Sequence, residues 1–313
     1  MQTPDQRLKI SVIICSYNRA DYIIQAIESL YQQTLSKDQF EVLVVDNNSI
    51  DNTGELVMAY KREHHDLHLT YLTEQRQGAS FARNTGAAFA KAALLCFMDD
   101  DAVAEKDYLE RIIAFFETHT DATGLGGRII PRYIPAEPKW MSHFVSSMVG
   151  NFDYSKEARE FEKGKYPLES NMIVVKEDFD TIGGFNTALP GVKGTLRIGG
   201  EGKDFFFRLQ ALNKKIYYDP NVIVHHVVEV KKLTPHYLYR VASGYGRGER
   251  VRTKAISQTA YYKKVAEYIF KLGASAVIGT FYAIKGKPAK TWPVIQFRID
   301  ALKGLLEKPE TSA

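Results

Sequence analysis

Cysteine is almost missing from this sequence: Cys15 and Cys96 are the only two in 313 residues, and both lie in apolar, strand-like runs. A disulfide framework is thereby excluded, and a reducing compartment is the expectation. Long hydrophobic runs are missing too. The longest uncharged apolar stretch, Leu272 to Ile284, falls short of the roughly 20 residues a membrane-spanning helix needs. The opening MQTPDQRLKI lacks the apolar core of a signal peptide. No internal repeat or low-complexity segment occurs. Lys+Arg 41 against Asp+Glu 37 leaves a net +4, which demands no nucleic-acid partner. With 45% hydrophobic and 25% charged residues, disorder and fibrous repeats are excluded. The expectation is a cytoplasmic protein, at most peripheral at the cytoplasmic face of a membrane.

What is present is an alternation. Ile10 to Ile14 and Glu41 to Val45 are β-branched runs followed by turn residues, and they read as buried strands. Between them Asp21 opens a helix with Ile23, Ile27 and Leu30 on one face. Leu67 to Leu72 and Leu94 to Met98 read as further strands, and Gly78 to Ala92 as a helix. Such βαβαβ alternation predicts right-handed crossovers and a mostly parallel twisted sheet flanked by helices. Past Gly127 the pattern loosens, and Arg132 to Pro167 reads as one long connection. Asn171 to Val175, Lys215 to Tyr218 and Val222 to Val228 read as strands, Lys176 to Ile182 and Phe205 to Leu212 as helices. From Pro235 onward the pattern is helical and basic.

In open α/β sheets ligands bind at the carboxyl ends of the strands, so the polar residues there are the candidates. The first strand ends in Cys15-Ser-Tyr-Asn-Arg19, the second in Asp46-Asn-Asn-Ser, the fourth in Asp99-Asp100-Asp101. Asp46 alone reads equally well as a helix cap, and Arg83 as a solvated helix residue. The triple Asp says more. Three adjacent carboxylates repel one another unless a cation sits among them, and a hard divalent cation with phosphate co-ligands relieves that repulsion. A second acidic cluster, Gly199-Gly-Glu201-Gly-Lys-Asp204, places two carboxylates three residues apart at a helix start, where Glu201 suits a general base. Of His225 and His226, strand alternation lets only one face the functional side.

Taken in order, CSYNR, VVDNNSIDNT, GASFARNTG, FMDDD, GGFN, GGEGKDFFFRL and a strand His resemble glycosyltransferase family 2 on a GT-A fold, over roughly residues 8 to 250. The resemblance implies an inverting transferase that uses a nucleotide-diphosphate sugar, commonly a UDP-sugar, with Mn²⁺ or Mg²⁺. On that pattern Cys15, Tyr17, Arg19, Asp46, Asn48, Arg83, Asp99, Asp100 and Asn171 match substrate-binding positions. Cys15, Tyr17 and Asp46 fall to the nucleoside base, Arg83 to the nucleotide, Asp99 to the ribose side and Asn171 near the sugar. Asp101 and His226 match the metal ligands. The family usually writes the acidic motif with an Asp as its second residue, the catalytic base; here that residue is Gly202, so the role falls to Glu201 or Asp204. The expected division is a GT-A domain over 1–234, with a nucleotide-sugar half to about 130 and an acceptor half to 234, then a helical region over 235–313.

Two other readings compete. A nucleotidyltransferase also pairs an α/β sheet with acidic metal ligands, but it usually carries a Gly-rich basic loop where this chain has CSYNR. A non-catalytic sugar-nucleotide-binding subunit fits the loss of the Asp at 202. The expected partners are the donor and a carbohydrate or lipid-linked acceptor. Trp140, Phe144 and Phe152 in the long connection are candidates to close over the donor or to shape the acceptor site. Arg247, Arg250, Arg252, Lys254, Lys263 and Lys264 form either the solvated face of a helical appendix or a contact with an anionic leaflet.

Overall fold

The computed structural model describes residues 8–194 and 196–307. The first seven and last six residues, which fall within the expected domain limits, and Thr195 lie outside the described residues.

The β-branched runs form the centre of a sheet. Elements β1 (Ile10–Ser16), α1 (Ile23–Tyr31), β2 (Phe40–Asp46), α2 (Thr53–Glu63), β3 (Leu69–Thr73), α3 (Ala79–Phe89) and β4 (Leu94–Asp99) alternate as expected. A short β5 (Ala102–Ala104), α4 (Tyr108–Thr118), β6 (Ala122–Ile134), α5 (His143–Ser146) and β7 (Arg159–Glu160) follow. Next come β8 (Asn171–Val175), α6 (Lys176–Thr181), β9 (Gly191–Lys193), β10 (Leu196–Ile198), α7 (Glu201–Ala211) and β11 (Lys215–Glu229). Among the described residues three helices follow: α8 (Pro235–Ile256), α9 (Gln258–Ile284) and α10 (Thr291–Leu306).

The main sheet has nine strands in the order β3-β2-β1-β4-β8-β6-β11-β5, with β7 on β11. Pairings from β3 through β4 are parallel, as the alternation predicts. From β4 to β8 and from β8 to β6 they turn antiparallel, which gives a mixed sheet. Strand alternation divides the apolar residues between two cores. Ile10, Val12, Ile14, Val42, Val44, Cys96 and Met98 pack on one face with Ile23, Ile27, Leu30, Tyr108 and Ile112 of α1 and α4. Ile13, Leu43, Val45, Leu95 and Phe97 pack on the other with Ala82, Phe179, Phe205, Phe206 and Leu209 of α3, α6 and α7. A sheet covered on both faces presents polar groups only at its strand ends.

The chain divides into two compact units, and both are discontinuous in sequence. One comprises Met1–Pro131, Phe152–Thr187 and Gly202–Val227; the other comprises Arg132–Asn151, Ala188–Glu201 and Val228–Ala313. This differs from a single division after residue 234. The reason is apolar: Met141, Val145, Met148 and Val149 share a buried cluster with Val228, Val241, Ala242 and Val294, so this part of the long connection joins the helices that cover it. Two of the connection's aromatics serve packing, whereas Phe144 is exposed. Trp140 lies against that cluster. Phe152 hydrogen-bonds through its backbone to Ile129, and its ring sits among Tyr154, Phe161 and Tyr218; it is a core residue rather than part of a lid.

Candidate functional site

Strands β1, β2 and β4 end level with one another, Ser16 opposite Asp46 and Cys15 opposite Asp99. Strand order reverses between β1 and β4, which places the crevice of an open sheet beside these loops. The loops after β1 and β2 are clasped together. Asn18, at φ 53°, accepts the Ile50 N–H at 2.9 Å, and its own N–H donates to Ser49 Oγ at 2.9 Å. The Arg19 N–H donates to Thr53 Oγ1 at 3.0 Å.

Asp46 is buried, and each of its oxygens holds one donor: the Ser49 N–H at 2.9 Å and the Tyr71 hydroxyl at 2.6 Å. A carboxylate oxygen has a second lone pair, so Asp46 can still accept from a ligand. A Cβ at Gly54 would lie 2.4 Å from the Tyr71 hydroxyl oxygen, so only glycine there leaves the tyrosine in place. Asn48 is exposed in a left-handed turn at φ 68°, and Tyr17 is half-buried. Asn47, passed over in the sequence, does the positioning here. Its Nδ2 donates to the carbonyls of Glu74 and Arg76, both at 2.9 Å, and its Oδ1 accepts the Gly78 N–H at 2.6 Å. That pins the loop leading into α3, which carries Arg83. The only signal for it was its place inside a polar run directly after a strand.

The triple Asp meets the expected histidine. Ala102 of β5 pairs with His226 of β11, and the Val227 N–H donates to the Asp101 carbonyl at 2.9 Å. His226 Nε2 then lies 3.0 Å from Asp101 Oδ1 and 3.8 Å from Asp99 Oδ2. His225, one residue earlier, instead meets Glu105 at 2.7 Å. Potential ligand atoms of Asp99, Asp101 and His226 all lie within 4.8 Å of one another. Two carboxylates and an imidazole are a donor set for a divalent cation. Ligands about 2.1 Å from an octahedral ion stand about 3 Å apart along an edge, so the residues present fit such an ion. The repulsion expected among the three carboxylates is relieved in part by Arg19, whose Nε and Nη2 stand 3.4 Å from Asp100 and Asp101 respectively. Burial first, then the Asp101 and Asp99 charges, push the Asp100 carboxyl up to about 7 against the pull of Arg19.

Cys15 is half-buried beside this cluster. Desolvation pushes its thiol up to about 12, with Arg83 pulling down and Asp99 and Asp100 pushing up. A neutral thiol is neither a nucleophile nor a metal ligand, which leaves Cys15 a packing or contact role. Arg83 is buried, not solvated, and its guanidinium lies 5.5 Å from the centre of the Phe185 ring.

The second acidic cluster is less uniform than its sequence. Asp204 is paired with Arg208 at 2.8 Å, and Arg208 also donates to the carbonyls of Ile182 and Gly184 at 2.8 and 2.7 Å. This pair ties α7 to the turn after α6. Glu201 is buried at the first position of α7. Between them the Gly202 N–H donates to Glu169 Oε1 at 2.9 Å.

One expectation is corrected. Asn171 has no exposed surface, and its carboxamide is engaged inside the sheet. It accepts the Tyr108 hydroxyl at 2.9 Å and donates to the carbonyls of Arg128 and Val222 at 3.0 Å each. It holds strands together. Its neighbour Ser170 reaches the site instead, donating to Asp99 Oδ2 at 2.5 Å. Glu169 and Ser170 were both missed, although the polar Glu-Ser-Asn run before β8 marked the place.

The chain also resembles known proteins in sequence and in fold. Residues 11–182, more than half of the chain, match the model of glycosyl transferase family 2. The chain is 24% identical over 228 residues to the glucosyl-dolichyl phosphate glucuronosyltransferase of Haloferax volcanii, covering 70% of this chain and 69% of that protein. It spans a third or less of the length of several other curated glycosyltransferases that it matches. Among solved structures it resembles the mannosyltransferase PcManGT from Pyrobaculum calidifontis, in complex with GDP-Man and Mn²⁺, at a TM-score of 0.66 and 20% identity, over 98% of this chain and 89% of that one. S. aureus TarS 1-349 in complex with UDP gives a TM-score of 0.51 and 18% identity, over 95% of this chain and 89% of that one. At these identities the structural likeness is one of fold, the GT-A arrangement with helices at its C-terminal end.

Proposed function

The chain belongs to glycosyl transferase family 2, and from that membership we propose that it is an inverting transferase moving a sugar from a nucleotide-diphosphate donor, a UDP-sugar, to a hydroxyl acceptor. The observation that carries this is the convergence of Asp99, Asp101 and His226 at the carboxyl ends of the parallel strands, next to the loops of Tyr17 and Asp46. Mn²⁺ or Mg²⁺ bound there would supply the charge that steadies a departing diphosphate. Asp46, Asn48, Tyr17 and Cys15 receive the nucleoside. Arg19 and Arg83 carry positive charge to its phosphates. A carboxylate near the N-terminus of α7 takes the acceptor proton. Three carboxylates stand at that turn: Asp204, paired with Arg208, Glu201 at its first position, and Glu169, bound to the Gly202 N–H. The complexes of structural neighbours with GDP-Man and Mn²⁺ and with UDP support a nucleotide-sugar donor and a divalent ion. The relative named for glucosyl-dolichyl phosphate supports a lipid-linked acceptor.

The test is a thermal-shift panel with UDP, GDP and Mn²⁺. UDP with Mn²⁺ should raise Tm, and EDTA should abolish the rise, because a diphosphate and the Asp cluster otherwise face each other as like charges. An equal UDP shift in EDTA would overturn the metal-bridged donor, and a larger shift with GDP the choice of base. Release of pyrophosphate instead of nucleoside diphosphate during turnover would identify a nucleotidyltransferase.

The exposed face of α9 supports a membrane-surface role. No helix of the described residues is long and apolar enough to cross a membrane. Yet Tyr262, Ile269, Phe270, Val277, Phe281 and Ile284 are all exposed along one stripe of α9, with Trp292 exposed on α10 and Lys263, Lys285 and Lys287 exposed beside them. The basic residues expected to meet lipid are mostly spent inside this unit: Arg247 on Glu307, Arg252 and Lys264 on Glu249, Arg250 on the Leu305 carbonyl. An apolar stripe with flanking lysines suits an anionic leaflet. Full-length protein should co-sediment with phosphatidylglycerol vesicles at low salt and less at high salt. Val277→Glu/Phe281→Glu should weaken it, and undiminished binding would set the stripe aside.

A further inference from the structure

We propose that Glu169 is the general base of this enzyme, standing in the place that the missing side chain at position 202 leaves open; the proposal rests on the glycosyl-transfer reading above. A Cβ built on Gly202 would lie 2.4 Å from Glu169 Oε1 and 2.7 Å from its Cδ and Cγ. The Glu169 carboxylate therefore occupies the volume into which a residue-202 side chain would project. Its Oε1 accepts the Gly202 N–H at 2.9 Å, so the first turn of α7 holds the group where that turn's positive dipole end favours negative charge.

The two carboxylates of the motif itself fit less well. Asp204 is 9% exposed and bound to Arg208, whose other donors are anchored on Ile182 and Gly184. Glu201 is 6% exposed. Successive residues on a helix also project about 100° apart, so Glu201 cannot point where position 202 points. Glu169 does point there, and it is half-buried rather than enclosed. It also precedes Ser170, which donates to Asp99 at 2.5 Å. One short segment thus couples the base to the carboxylates that hold the donor.

In the step this implies, the acceptor oxygen forms its bond to the anomeric carbon as the bond from that carbon to the diphosphate oxygen breaks. The electron pair leaves with the nucleoside diphosphate. The hydroxyl proton passes to the Glu169 carboxylate and then to water.

The experiment measures nucleoside diphosphate release from UDP-glucose, UDP-glucuronic acid and GDP-mannose, with a glucosyl polyprenyl phosphate as acceptor, by the full-length chain. Glu169→Gln keeps the volume and the bond from the Gly202 N–H, so the fold persists. Its kcat should fall by roughly 10²- to 10⁴-fold, while the donor KM and the thermal shift with UDP and Mn²⁺ stay unchanged. Glu201→Gln should cost less than about 10-fold, below the scale of a lost general base. The decisive variant relocates the carboxylate. Glu169→Ala/Gly202→Asp removes the side chain that blocks position 202 and should turn over at least about 10-fold faster than Glu169→Ala, as a restored base requires. A carboxylate that only caps α7 predicts a lower Tm for Glu169→Ala, normal kcat for Glu169→Gln and no rescue. Near-normal kcat in Glu169→Gln, or a folded double variant no faster than Glu169→Ala, overturns the role of Glu169. No release by the wild type from any of these donors overturns the transfer reading itself, and this role with it.

Discussion

The two ends of β2 each bury an acid, and their surroundings differ. At the amino end Glu41 is 4% exposed, and its Oε1 accepts the Ser11 hydroxyl and the Lys91 N–H, both at 2.7 Å. Ser11 in turn accepts the Ala92 N–H at 3.1 Å. This acid serves two neighbouring strands and the chain entering β4, and every partner is a local donor. At the carboxyl end Asp46 is held by the Ser49 N–H and the Tyr71 hydroxyl, and the end of β4, in the same sheet, carries Asp99, Asp100 and Asp101. There three acids stand together, with Arg19 as the countercharge and His226 beside Asp101. Burial of a carboxylate is common to both ends. What separates structure from function is whether the protein's own donors satisfy the charge or leave several like charges converging on one point.

The sharpest way to break this contrast is Asp101→Asn. A structural acid that loses its charge should cost stability and leave turnover alone. Asp101 should do the reverse: turnover falls by about 10²- to 10³-fold, the scale of a lost electrostatic contact to a developing charge. Tm without ligand holds or rises, because one of three converging charges is gone. A large fall in Tm with turnover preserved would move Asp101 to the structural side.

Glu41→Leu is the mirror experiment. It keeps much of the volume but leaves the Ser11 hydroxyl and the Lys91 N–H without their acceptor. Stranding buried donors costs about 1–3 kcal/mol each, so a loss of about 2–6 kcal/mol is expected by urea unfolding, with kcat and donor KM unchanged in the folded fraction. A variant as stable as the wild type would show that Glu41 is no structural clamp.

The same distinction explains what could be read from the residues alone. Strands β1, β2 and β4 are legible because continuous apolar runs, β-branched in β1 and β2, are buried on both faces and leave no other periodicity. The Asp cluster was legible because its repulsion is written in adjacent letters. Strand β11 was read as two strands because Asp219-Pro-Asn221 looks like a turn. It is one strand with a local bond inside it, from the Asn221 N–H to Asp219 Oδ1 at 2.8 Å. The family pattern assigns Asn171 near the sugar, and only the approach of Tyr108, Arg128 and Val222 shows that it is enclosed. Arg19, Ser170 and Glu169 owe their roles to contacts 30 to 80 or more positions away in the chain. No local pattern encodes such pairings; sheet order and loop length decide them.

Glu74 sharpens the comparison, because it lies at the carboxyl end of β3 yet is satisfied in the manner of Glu41. Arg76 donates to it from Nε at 3.0 Å, from Nη2 at 2.7 Å and from its backbone N–H at 2.8 Å, and Thr85 Oγ1 donates at 2.6 Å. These bonds, Arg76 first, hold the carboxyl down at about 2 despite its burial. A carboxyl lowered in the folded state stabilises the fold above its ordinary value near 4.5, and that contribution fades as pH falls toward 2. Arg76 is 67% exposed, so solvent screens the pair, and about 1 kcal/mol is the expected size. Urea unfolding at pH 6 and pH 3 should show the wild type losing about that much more stability than Glu74→Gln. If both lose the same amount, Glu74 is not compensated in the folded protein, and position at the sheet edge rather than satisfaction by local donors governs how its acids behave.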